Sequence, residues 1–99
     1  MKTIHQIFNP KPEQWGFRGD PYLWDDLEKY FSERPFPADA VEFKRQFSDA
    51  FRELTGAWLE DGRDIFVEKY NHGGMSRGMI SHEFWIERGL PLLAGRFER

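Results

Sequence analysis

Two runs of apolar residues at spacings of three and four, separated by Arg34-Pro35-Phe36-Pro37, constrain this chain more than any other feature. In the first run, Leu23, Trp24, Leu27, Tyr30 and Phe31 fall on one helical face. In the second, Phe43, Phe47, Ala50, Phe51 and Leu54 do the same, while Glu42, Lys44, Arg45, Asp49, Arg52 and Glu53 turn outward. Asp20-Pro21 starts the first helix: a carboxylate accepts backbone N–H groups at the cap, and the proline ring presets φ for the first helical turn. The prolines at 35 and 37 end it, because each biases its predecessor away from helical angles. Asp39 and Glu42 then have the spacing of a capping box, and Gly56 is suited to the left-handed stop of the second helix. Helices over about 21–33 and about 38–55 are predicted.

Around this pair the signals are shorter. Thr3 to Phe8 is β-prone and reads as a strand broken by Pro10 and Pro12, and residues 9 to 19 read as an ordered loop pinned by Trp15 and Phe17. Asp61-Gly62 suits a tight hairpin turn between 57–60 and 63–70, which would set Trp58 opposite Ile65. Ser81 can cap a short helix over about 82–88 that Gly89 ends, with Leu90-Pro91 opening one last apolar turn. The predicted class is therefore α+β: a small antiparallel sheet, made of the N-terminal strand and the 57–70 hairpin, packed by two amphipathic helices and a short C-terminal one.

At 99 residues the chain reads as one globular domain spanning 1–99. Ten Phe, four Trp and three Tyr supply the apolar area that so short a chain needs for a core. The net charge of -3, with both signs scattered, offers no basic stripe, so nucleic-acid binding is disfavoured, and a nuclease built on His72, Arg77 and His82 with it. The absence of cysteine excludes disulfides and thiolate chemistry, and no apolar run is long enough for a secretory signal or a membrane span. A cytoplasmic protein with no membrane association is the expectation.

Reactive residue types concentrate in one stretch, where His72, Ser76, Arg77, Ser81, His82 and Glu83 are interleaved with Gly73, Gly74 and Gly78. Exposed N–H groups between glycines, followed by a helix start, can hold a phosphate or carboxylate with Arg77 as counter-charge. The simpler account is that the glycines supply unusual backbone angles and Ser81 is an ordinary cap, and neither a Walker motif nor a dinucleotide fingerprint is present. His82 and Glu83 are neighbours in sequence but point in different directions on a helix, so they do not compose an acid–base pair. Three histidines at 5, 72 and 82 lack ligand spacing, so neither a metal nor a cofactor is expected.

The aromatic excess gives the stronger lead. Trp15, Phe17, Tyr22, Trp24, Phe36, Trp58, Phe84 and Trp85 exceed what a minimal core requires, and aromatic rings beside arginine anchor protein interfaces. The expectation is a non-enzymatic binding module that docks a protein partner, either a second copy of itself or an intracellular enzyme or toxin that it inhibits. The residues assigned to binding are His72, Gly73, Gly74, Ser76, Arg77, Ser81, His82 and Trp85. The alternative is a small enzyme or ligand-binding domain that recognises an anionic small molecule through the glycine-rich 71–83 loop. It requires a concave site lined by that segment, whereas a binding module requires exposed apolar side chains.

Overall fold

A computed structural model describes residues 2–11, 20–71 and 78–98, and all side chains in these ranges except those of Asp20 and Pro21. The fold is α+β. Helices dominate, and the sheet is a single antiparallel pair. In chain order, the elements are α1 (Ile4–Phe8), α2 (Asp20–Ser32), α3 (Ala40–Thr55), β1 (Ile65–Phe66), β2 (Met79–Ile80), α4 (His82–Phe84) and α5 (Leu90–Glu98). A π-helical segment, Trp85–Gly89, joins α4 to α5, and 3₁₀ turns occupy Leu59–Asp61 and Glu68–Tyr70.

The two central helices form where their periodicity places them. Asp39 has extended angles and its carboxylate accepts the Glu42 N–H at 2.8 Å, a cap for an otherwise orphaned donor. Glu42 does not reach back to complete the box, because its carboxylate pairs with Arg45 instead. Gly56 adopts φ +82° and returns its N–H to the Arg52 carbonyl, closing α3 with a left-handed residue. Asp39→Ala should therefore lower stability by about 1 kcal/mol. A denaturant midpoint equal to that of the parent chain would contradict the capping role. The expected cap at Asp20 lies outside the described side chains.

Against expectation, the N-terminal segment is a helix and not a strand. Its β-prone composition is overridden by a capping box in which Gln6 N–H donates to Thr3 Oγ1 at 3.1 Å and Thr3 N–H donates to Gln6 Oε1 at 2.8 Å. Ile7 and Phe8 are thereby buried against α2 and α5. Trp24 completes this joint, donating its indole N–H to the Phe8 carbonyl at 2.7 Å.

The 57–70 hairpin is also absent. A two-residue turn of that type needs two consecutive positive φ angles, and only Gly62 of the pair has one, at +77°. Asp61 instead accepts the Trp58 N–H at 3.2 Å and closes a 3₁₀ turn. Ile65 and Phe66 pair with Ile80 and Met79 respectively, so Trp58 does not face Ile65 across a ladder. The Asp64 carboxylate fixes this register by accepting the His82 N–H at 2.9 Å.

The C-terminal helix is longer than the expected 82–88 segment. Gly89 should end it before Leu90-Pro91 opens a separate turn, yet the π segment carries the chain through: Leu90 N–H bonds the Trp85 carbonyl five residues back, and the wider turn precedes a proline that has no N–H to place. Gly89 permits the close approach, for the ring of Trp85 lies where a Cβ on residue 89 would sit. Its φ is not in the left-handed region, so contact and not backbone angle demands the glycine.

One core gathers α1, α2, α3, β2 and the C-terminal helix, with Trp24 and Trp85 at its centre, 5.4 Å apart. Phe31, Phe43, Phe97 and Phe36 form a ladder of stacked rings from the core to the surface, at successive centroid distances of 5.0, 5.0 and 5.7 Å. The chain ends are laced together. Lys2 Nζ donates to the Arg96 carbonyl, and the Arg96 guanidinium donates to the carbonyls of Ile7 and Pro10, each at 3.0 Å. No helix among the described residues is long and apolar enough to cross a membrane.

Candidate functional site

Of the residues assigned to binding from the sequence, His72, Gly73, Gly74, Ser76 and Arg77 lie outside the described residues. The three that are described have structural partners. Ser81 Oγ accepts the Phe84 N–H at 3.3 Å, an ordinary cap for α4. His82 is buried, and its Nε2 accepts the Gly62 N–H at 3.0 Å, which makes Nδ1 the protonated nitrogen of the neutral ring. Trp85 is completely buried between Trp24, Phe47, Phe51 and Phe84, so it is a core ring and not a surface anchor.

The surplus aromatics divide in the same way. Trp24 and Trp85 belong to the core and Phe84 is partly buried against it. Tyr22, Phe36 and Trp58 are exposed, and Phe66, which the sequence reading passed over, joins them. Trp15 and Phe17 lie outside the described residues. Trp58 is 45 % exposed, yet it is held: its backbone N–H is bound by Asp61, and the Arg52 guanidinium stands 5.5 Å from its ring centroid.

Two clefts open between α2 and α3, and neither is lined by a described residue of 71–83. The smaller, of 190 Å³, lies among Asp26, Lys29, Glu33, Arg34, Glu53 and Lys69, its charges paired with one another. At its back, the Tyr70 hydroxyl donates to Asp26 at 2.8 Å, and burial, with this carboxylate, pushes the phenol pKa well up, so the ring stays neutral.

The larger cleft, of 470 Å³, runs between the connection after α2 and the first three turns of α3. Arg34 bridges the two clefts. Its guanidinium stacks 3.3 Å from the Tyr30 ring centroid, donates to the Tyr30 carbonyl at 2.9 Å and pairs with Glu53 at 3.4 Å. Burial raises the Tyr30 pKa, and the carboxylates of Glu53 and Asp49 add to this against the opposing Arg34 charge. On the rim, Arg45 sits between Glu42 and Asp49; its hydrogen bond to Glu42 holds that carboxyl below its ordinary value and raises the guanidinium. Gln46 forms part of the cleft lining.

Sequence reasoning placed Gln46 on neither face of its helix. The available signal was its position three residues after Phe43 and four before Ala50, within the apolar stripe. Arg34 was read only as part of a helix stop. Comparison with protein-family models, with curated proteins and with solved structures finds no match to this chain.

Proposed function

We propose that the chain is a non-enzymatic binding module that docks a protein partner. The observation that carries this reading is Trp58: a large ring half in solvent, with its backbone tied by Asp61 and its face attended by Arg52. A ring held in place before binding loses little freedom on docking, and Trp beside Arg is the pairing that dominates interface energetics. Tyr22, Phe36 and Phe66, between 40 and 48 % exposed, are available as further contacts. The core does not need them, since eight other aromatic rings are already fully buried: Phe8, Trp24, Phe31, Phe43, Phe47, Phe51, Tyr70 and Trp85.

The test is capture from extracts of the native host by immobilised chain, run beside Trp58→Ala. A specific partner should be retained by the parent chain and its affinity should fall by about 2 kcal/mol or more in the variant, with the thermal melt nearly unchanged. Equal retention by both would remove Trp58 from the interface, and no specific partner at all would end the binding-module reading.

A further inference from the structure

Among the described residues His82 is the buried histidine, 5 % exposed, and it ties α4 to the segment 59–64 by two bonds. Its backbone N–H donates to Asp64 Oδ1 at 2.9 Å, and its ring Nε2 accepts the N–H of Gly62 at 3.0 Å. Gly62 closes the Leu59–Asp61 turn in the left-handed region, at φ +77°. Glycine is the residue least held by its own backbone, so a bond from outside the turn decides how firmly this angle is kept. At the other end of the same turn stands Trp58, whose carbonyl accepts the Asp61 N–H at 3.1 Å and whose own N–H donates to Asp61 Oδ2 at 3.2 Å.

We propose that His82 is a proton-sensitive latch: its neutral ring holds the Gly62 end of the turn so that Trp58 is presented for docking, and its protonation releases that hold. This rests on the reading of Trp58 as the anchor of a protein interface and names the regulation of that surface. A neutral imidazole has one acceptor nitrogen, and here the Gly62 N–H uses it. Imidazolium has two donors and no acceptor, so Nε2–H would face N–H, donor against donor. A fall in pH therefore opens the latch, and a return to neutral or higher pH closes it. The bond from the His82 backbone to Asp64 is untouched by the change, since that N–H does not titrate.

The charges at this corner give the protonated ring somewhere to turn. Among the described residues, the segment 59–64 carries Glu60, Asp61, Arg63 and Asp64, α4 carries Glu83, and the π segment carries Glu87 and Arg88. The two strands bring no charged side chain. On α3, Arg52 is engaged by the Gly56 carbonyl and the Trp58 ring, and Ser48 holds Glu60. Carboxylates outnumber guanidinium groups here, and Asp64 is already seated beside His82, so the ring that gives up Gly62 has an ionic partner in its place.

The experiment follows the whole chain by NMR from about pH 8 to about pH 5, a range in which imidazole titrates and carboxylates stay ionised. Fluorotryptophan labelling, with the Trp58 signal assigned by Trp58→Phe, reports the ring, and amide exchange corrected for its intrinsic pH dependence reports Gly62. As the His82 ring takes up its proton, Gly62 should lose about tenfold in protection, and the Trp58 fluorine signal should move with the same midpoint. His82→Gln keeps an acceptor oxygen that does not titrate, so both signals should stay at their high-pH values throughout, although His5 and His72 remain in that variant. A His82 ring that stays neutral across the range, a Gly62 protection or Trp58 signal that does not follow the ring, or an equal response in His82→Gln overturns the latch. None of these readings needs a partner, so the binding-module reading stands or falls separately, by capture on Trp58→Ala.

Discussion

Gly89→Ala is expected to destabilise the chain by about 3 kcal/mol, the upper part of the range for forcing a methyl group into a well-packed core. A Cβ at residue 89 would meet the Trp85 ring at 2.3, 2.8 and 3.2 Å, and the first two distances cannot be accommodated without displacement. Trp85 has no room to yield: it is completely buried and its ring lies against Trp24, Phe47, Phe51 and Phe84. Helix propensity acts in the opposite sense, favouring alanine over glycine by about 1 kcal/mol, so the contact decides the sign. A double-mutant cycle isolates the cause. In a Trp85→Leu background the obstructing ring is gone, and Gly89→Ala should become neutral or stabilising by up to about 1 kcal/mol. Urea midpoints for the four chains test this, and equal costs in both backgrounds would show that the ring is not what requires the glycine.

The larger loss is expected from Phe47→Ala, about 3–5 kcal/mol. Phe47 is completely buried on the core side of α3 and touches Trp85 with ring centroids 6.1 Å apart. Its neighbours are large rings fixed by one another, so they cannot collapse into the space left behind, and the cavity adds to the lost transfer energy. Typical domains have 5–15 kcal/mol in all, which places this variant near the limit of folding at room temperature. Calorimetry or urea denaturation supplies the measurement; a loss under about 1 kcal/mol would mean that the face of α3 had been assigned wrongly.

The central helices were legible because three independent signals agreed on each: apolar period, a start residue and a stop residue. Their boundaries shifted by one or two residues, to Asp20–Ser32 and Ala40–Thr55. Where only one signal was present, it misled. Thr3 to Phe8 was read from β-propensity, while the Thr3 and Gln6 pair, three residues apart, already spelled a helix start. Asp61-Gly62 was read from a dipeptide preference, although the strand that pairs with Ile65 and Phe66 lies beyond residue 78 and no local rule could point to it. Gly89 looked like a stop, with Leu90-Pro91 opening a separate turn, because one-dimensional rules assume an α-helix and do not foresee a π turn that joins the two.

Residue type alone did not locate the exposed rings. An excess of aromatic residues over core needs was apparent, but Trp24 and Trp85 could not be told from Trp58 by residue type alone. The 71–83 segment drew attention through its reactive side chains, and its described members Ser81 and His82 are engaged by the backbone of Phe84 and Gly62. Gln46 was missed because a single polar residue among apolar ones is invisible to a periodicity argument that averages over the helix.

The lacing of the two chain ends bears on the order in which the protein can be made. Ile7 and Phe8 dock on α5, and the carbonyls of Ile7 and Pro10 wait for the guanidinium of Arg96, 89 and 86 residues further along the chain. A nascent chain that has emerged only as far as α3 can pack Phe31 on Phe43 but leaves the buried faces of α1 and α2 only partly covered, since Trp24 has yet to receive Trp85. The covering of these faces is complete only when residues 85 to 96 are in place, and the joining of such distant contacts is then the slow and cooperative event.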